Sequence, residues 1–175
     1  EVKVGQPLQA DNPTREGYTF SGWSGLPDTM PDHDITVTGS FTGIDHNITY
    51  VLEANVYKVV TVPCGSTISP LEVTKEGYVF SGWEGLPEIM PNQDITVSGY
   101  FTRGTYNLIY VIDGEVYQTQ TYTYGDPITP LGNPSRDGYT FNGWSEIPET
   151  MPGHDVTINV SYTPHVFTIK YMIDG

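Results

Sequence analysis

GYTFSGW (Gly17–Trp23) returns as GYVFSGW (Gly77–Trp83) and again as GYTFNGW (Gly138–Trp144), at offsets of 60 and 61 residues. Outward from the tryptophan, a Met-Pro pair keeps the same two offsets, at Met30-Pro31, Met90-Pro91 and Met151-Pro152. Then comes DITVTGSF from Asp34, DITVSGYF from Asp94 or DVTINVSY from Asp155. Agreement held over so many positions at fixed spacing marks a tandem repeat. That repeat, rather than the length of 175 residues, sets the domain organisation.

Upstream of the tryptophan the pattern persists. NITYVLEANVY runs from Asn47, NLIYVIDGEVY from Asn107 and FTIKYMIDG from Phe167, and Tyr50, Tyr110 and Tyr171 keep the offsets. The third copy carries one extra residue between Gly125 and Gly138, in a turn-rich stretch where an insertion costs little. The expected division is therefore a front-truncated repeat over 1–43, whole repeats over 44–103 and 104–164, and the first strand of a further repeat over 165–175.

Thr, Val, Ile and Tyr in short alternating runs, broken by glycine and proline, read as strands and turns. In a whole copy the first strand is expected at Ile48–Leu52 and the second at Val56–Val62, with Glu53-Ala54-Asn55 turning between them. In the next copy Asp113-Gly114 takes the turn, a strong hairpin signal because both residues tolerate positive φ. The stretch Pro63–Glu76 has too many turn and β-branched residues for a long helix. A third strand is expected over Tyr78–Trp83, a loop over Gly85–Asn92 and a fourth strand over Ile95–Phe101. The fold class that follows is mainly β: tandem small β-grasp-like repeats in an elongated array, each sheet under a thin, irregular cover. Strands rising about 3.3 Å per residue would let one copy span roughly 30 Å and three in line about 90 Å.

Composition excludes several functions. Seven Lys+Arg against 21 Asp+Glu give a net charge of −14, which leaves no surplus of cations to neutralise phosphate, so no nucleic-acid partner is expected. No apolar run approaches the ~20 residues of a membrane-spanning helix, so no membrane insertion is expected. With aromatics at 13% the chain is too rich in core-forming residues for a disordered acidic tail. The one cysteine, Cys64, stands where the other copies have Val4 and Tyr124, and it reads as a small half-buried hydrophobe.

The recurring side chains read as core. Each small repeat needs large apolar groups to build an interior at all. The expected structural core is Tyr18, Phe20, Trp23 and Met30 in the first copy, Tyr78, Phe80, Trp83 and Met90 in the second, and Tyr139, Phe141, Trp144 and Met151 in the third. Each methionine is expected to plug an open end of the core, with the following proline fixing the loop. A row of tryptophans is also the pattern of a sugar-stacking ladder. Asp34, Asp94 and Asp155, each opening a fourth strand, are expected to bond loop amides in Asx-type turns. His33, His46, His154 and His165 share no constellation with a recurring serine or cysteine. No catalytic, metal or cofactor-binding residue is therefore assigned, and no cofactor is expected.

The series of hairpin tyrosine, GYxFxGW, MP and D-[IV]-T-[VI] resembles the internalin-type B repeat, also called the Listeria–Bacteroides repeat, over nearly the whole chain. The resemblance implies β-grasp-like modules arrayed in tandem in secreted or cell-wall-attached bacterial proteins, and hence an extracellular, cell-surface location. It implies no ligand. The expected function is a structural spacer or stalk rather than an enzyme. The alternative is an adhesive module for a host protein or glycan. Head-to-tail self-association is a further expectation, because Val166–Ile173 repeats a first strand that residues 1–43 lack.

Overall fold

The computed structural model describes residues 1–174 and contains only strands, turns and irregular backbone; among those residues there is no helix. The chain divides into two compact units. One comprises Glu1–Glu72 with Ser81–Tyr100, and the other comprises Val73–Phe80 with residues 101–174.

In the first unit, β1 (Tyr18–Phe20) pairs antiparallel with β2 (Phe41–Gly43). A hairpin follows, of β3 (Asp45–Leu52) and β4 (Asn55–Pro63). Glu53 and Ala54 form its two-residue turn at φ 49° and 66°, the geometry a twisted hairpin demands. Tyr50 faces Lys58 while Val51 faces Val56, so Tyr57 is the extra residue of a bulge. The chain then crosses irregularly and returns, after an interval in the other unit, as β6 (Ile95–Gly99). That strand lies parallel to β3, with Tyr50 beside Val97, and the sheet order is β4-β3-β6.

Ile48, Tyr50, Ile68, Met90 and Val97 are buried as one cluster, with Val60, Val62, Leu71, Trp83, Leu86 and Ile95 packed against it. Ile48, Tyr50 and Val97 come from one face of the sheet, as strand alternation requires. Ile68 comes from the crossing segment and Met90 from the Met-Pro loop. Those two segments hold each other by backbone hydrogen bonds. The amide of Gly65 donates to Met90, that of Met90 to Ser66 and that of Ile68 to Glu88, at 2.8–2.9 Å. The thin cover expected from sequence is thus a loop laced to a loop.

The second unit repeats this plan. The ribbon of β5 (Tyr78–Phe80) and β7 (Phe101–Arg103) is antiparallel. β8 (Thr105–Ile112) and β9 (Glu115–Thr123) form the hairpin around Asp113-Gly114, with Tyr117 as the bulge residue. β10 (Tyr139–Trp144) and β11 (Val156–Pro164) complete a sheet of order β10-β11-β8-β9. β11 runs parallel to β8, with Ile158 beside Tyr110. Leu108, Tyr110 and Ile158 are fully buried, ringed by Tyr122, Ile128, Leu131, Trp144, Ile147 and Val156.

The expected strand limits shift in three places. The third strand of the middle copy ends at Phe80, because Gly82 takes φ +84° and turns the chain. Only in the last copy does it run through to Trp144, with a bulge between Phe141 and Gly143. The expected fourth strand Ile95–Phe101 is broken at Tyr100 into β6 and β7. In the first copy Ile35–Gly39 forms no named strand and keeps only an isolated bridge between Ser24 and Thr38. Its counterparts pair with the first strand of a hairpin, and residues 1–16 contain none. Residues 166–174 likewise form no strand, and Val166, Phe167, Ile169, Tyr171, Met172 and Ile173 are exposed. A single strand without a partner gains no ladder of hydrogen bonds.

Candidate functional site

The chemistry available lies at the repeated aromatic corner and at the junction where one copy feeds the next. At the corner, Trp83 packs edge-on to Tyr50, with ring centroids 4.8 Å apart, and tilts over Tyr57 at 6.4 Å. Its indole N–H donates to the Leu71 carbonyl at 2.8 Å. Trp144 packs on Tyr110 at 4.9 Å and on Phe141 at 5.6 Å. Its indole nitrogen is buried with no hydrogen-bond partner among the described residues. Trp23 packs on Phe20 at 5.2 Å, and its N–H reaches the Asp11 carbonyl at 3.2 Å. All three tryptophans are half-buried rather than displayed.

The other expected core residues are graded. Met90 and Met151 are each 1% exposed, whereas Met30 is half-buried. Tyr18, Phe20, Tyr78, Phe80 and Phe141 are half-buried, and Tyr139 is exposed. The deepest aromatic side chains are Tyr50 and Tyr110, on the hairpins. Burial removes water from both hydroxyls and raises their pKa above 10.0. The Tyr110 hydroxyl accepts a hydrogen bond from the Leu131 amide, which favours the charged form and offsets part of that rise.

A basic residue missed in the sequence reading covers each motif tyrosine. Arg15, Lys75 and Arg136 place their charges 3.7, 4.2 and 4.2 Å from the ring centroids of Tyr18, Tyr78 and Tyr139. The turn makes this local. The tyrosine amide donates to the carbonyl three residues back, at 3.0–3.1 Å, with glycine at positive φ between them. A [RK]-[ED]-G-Y pattern at fixed offset was the available signal, and it uses three of only seven Lys and Arg.

The aspartates act at longer range than expected. Asp94 Oδ1 accepts from the Asn47 amide and Asp155 Oδ1 from the Asn107 amide, each at 2.8 Å. These bonds tie the start of the returning strand to the start of the hairpin, in place of the expected Asx-type turn. Asn47 and Asn107 in turn accept from the hydroxyls of Thr61 and Thr121 across the hairpin.

The histidines scatter. His46 Nδ1 lies 3.4 Å from Asp94 and its Nε2 lies 3.0 Å from Asn92. His33 meets Asp32, His154 meets the Asp155 carbonyl, and His165 meets Thr140. Among the described residues no three His, Cys, Asp or Glu side chains gather as a metal site. Among the described residues no helix is long and apolar enough to cross a membrane.

At the junctions, backbone hydrogen bonds relay from the ribbon of one copy into the hairpin of the next. Ile44 N–H donates to Gly17 and Cys64 N–H to Ile44, at 2.9 and 2.8 Å. In the second unit Gly104 N–H donates to Gly77 and Tyr124 N–H to Gly104, both at 2.8 Å. Glycine is required at the contact point. A Cβ on Gly17 would lie 2.6 Å from Cys64 Sγ, and one on Gly77 would lie 2.4 Å from the Tyr124 ring. The half-buried Cys64 is thus a packing group of the junction. Tyr78 adds an edge-on contact to Tyr124 at 5.5 Å, and Arg103 bonds both the Tyr124 carbonyl and Asp126.

Internalin H of Listeria monocytogenes is 26% identical over 198 residues, which covers 82% of this chain and 36% of that protein. A putative membrane protein of Evansella cellulosilytica is 29% identical over 159 residues, covering 75% of this chain and 23% of its own. This chain therefore spans about a third or less of the length of these relatives. A solved structure of Streptococcal High Identity Repeats in Tandem domains 3-4, from a cell surface protein, is 16% identical. It covers 68% of this chain and 99% of its own, at a TM-score of 0.23. The Listeria-Bacteroides repeat pattern matches residues 1–42, 46–98 and 106–169, and the chain belongs to the Listeria-Bacteroides repeat domain family.

Proposed function

We propose that this chain is a spacer segment of a secreted or cell-wall-attached bacterial surface protein, holding other domains away from the cell wall. The observation that carries this reading is the junction relay. Copies meet through backbone hydrogen bonds and close packing at Gly17 and Gly77 rather than through a free linker. A connection of that kind costs conformational entropy and repays it only if order between neighbours matters. The reading assigns no catalytic residue. A hairpin, a crossing and a parallel return support a β-grasp-like description of each copy, with laced loops in place of a helix. The domain limits 1–43, 44–103, 104–164 and 165–175 are kept in this proposal.

The test is surface display. A tag carried beyond the chain on a bacterial cell wall is expected to lose accessibility to a bulky antibody when residues 44–103 are excised. A replacement copy with altered surface residues is expected to restore it. Accessibility independent of copy number would contradict the spacer reading.

A second reading, adhesion to a protein or glycan, is favoured by the outer hairpin strands. β4 and β9 lie at sheet margins with Val56, Tyr57, Val59, Val116 and Tyr117 exposed, a surface that suits strand addition. Binding lost on placing lysine at Val59 and Thr119, with antibody accessibility unchanged, would favour it over the spacer.

Head-to-tail association has its own support. The exposed Val166–Ile173 segment matches a first strand, and Ile35–Gly39 lacks one beside it. Sedimentation showing only monomer at high concentration would end that idea.

A further inference from the structure

The Gly-Trp corner differs in one copy at two positions that lie side by side. Ser81, Gly82, Trp83, Glu84 and Tyr100 line an open concavity of about 340 Å³. Where the middle copy has Glu84, the others have Ser24 and Ser145, and where it has Tyr100 they have Ser40 and Ser161.

The backbone of the corner does not need either side chain. Glu84 N–H donates to Ser98 at 2.7 Å, as Ser24 N–H does to Thr38 and Ser145 N–H to Asn159. Ser81 Oγ accepts from the Tyr100 amide at 2.9 Å, as Ser21 Oγ does from the Ser40 amide. Tyr100 is 56% exposed, an unfavourable setting for a ring that only packs. Glycine at 82 leaves open space where a side chain would stand. The two changes therefore add an aromatic side chain and a carboxylate to a concavity that Trp83 also lines, at a corner whose backbone hydrogen bonds the other copies keep without them.

We propose that this concavity binds an organic ammonium head, quaternary or lysine-like. Aromatic rings attract a cation through their negative faces, and a neighbouring carboxylate completes its neutralisation. An anion would meet Glu84 and a chain of net charge −14, whereas a cation is drawn in by both. An open site of this size holds such a head weakly, in the millimolar range, and several copies of the ligand on one surface would raise the avidity.

The test is an amide and indole NMR titration of the whole chain with choline chloride and with Nα-acetyl-lysine methylamide. Sodium chloride controls match the ionic strength. Saturable shifts are expected at Gly82, Tyr100 and the Trp83 indole, and not at the indoles of Trp23 and Trp144. Glu84→Ser and Tyr100→Ser place the residues of the sister copies at these positions and should fold, and each is expected to abolish the saturation. Response to choline alone identifies a choline-bearing head group, and response to the lysine probe alone a protein side chain. Either supports the site. No saturable shift with either probe, equal shifts in the two variants, or saturation by an N-acetylglucosamine tetramer in place of the cations would overturn it.

Discussion

The ring of Tyr124 rests against Gly77 so closely that a single added methyl would meet it at 2.4 Å, while Gly77 itself holds φ +75°. One residue thus meets two demands, a left-handed turn before the motif tyrosine and a flat surface for the hairpin of the following copy. Gly77→Ala is expected to destabilise the second unit by about 2 kcal/mol or more, from the left-handed backbone and the displaced ring together. Gly85→Ala, at φ +80° with nothing nearby, should cost only the backbone share, about 1 kcal/mol. Urea denaturation of the two variants separates the contributions; equal losses would mean that the ring moves aside freely.

The two hairpin turns offer an internal comparison. Ala54 sits at φ +66°, where its counterpart is Gly114 at φ +87°. An L side chain there costs about 1 kcal/mol relative to glycine. Ala54→Gly is expected to raise stability by about that amount, and Gly114→Ala to lower it, both read from the midpoint of thermal unfolding. A neutral Ala54→Gly would show that the hairpin yields its turn strain elsewhere.

Trp83 and Trp144 fill the same place with different hydrogen bonding. Trp83→Ala is expected to cost about 3–5 kcal/mol, as for a large ring removed from a core. The phenylalanine variants are more telling. Trp83→Phe strands the Leu71 carbonyl, whereas Trp144→Phe removes a buried N–H with no partner among the described residues. Trp144→Phe should therefore be milder by about 1 kcal/mol in paired denaturation curves. The reverse order would contradict the assignment of these bonds.

The buried tyrosines set an alkaline limit. Desolvation raises the folded-state pKa of Tyr50 and Tyr110 above 10.0, so the unfolded chain gives up those protons first as pH rises. The contribution of these two groups to stability is then full below pH 10.0 and is lost as pH climbs from there through the folded-state values. Tyr50→Phe is expected to reduce the slope of that fall while leaving stability near neutral pH little changed. An unchanged slope in Tyr50→Phe would show that other groups set the limit.

Much of this organisation was legible because it is local and repeated. The Asp113-Gly114 turn, the hairpin tyrosines and the GYxFxGW spacing each follow from a few adjacent residues, and repetition turned weak signals into strong ones. The cation over each motif tyrosine is equally local, in the basic residue three places before it, but its signal is a single position that shows only when the copies are aligned. Other features depend on distance. The bond from Asn47 to Asp94 spans 47 residues, and no local pattern states that the returning strand lies parallel to the first. The break at Gly82 is hidden by an alternation that Trp83 continues in sequence but not in backbone. Tyr50 and Tyr110 became the deepest aromatic residues through tertiary packing, while the motif aromatics took the half-buried rim.

Order at the junctions is the claim on which the spacer account stands, and amide hydrogen exchange followed by NMR tests it most directly. The amides of Ile44, Cys64, Gly104 and Tyr124 carry the relay between copies. The account predicts protection for them approaching that of the hairpin strands around Tyr50 and Tyr110. Exchange at these four amides as fast as in the exposed residues 166–174 would mean that the copies are joined by mobile linkers, and the account would fail.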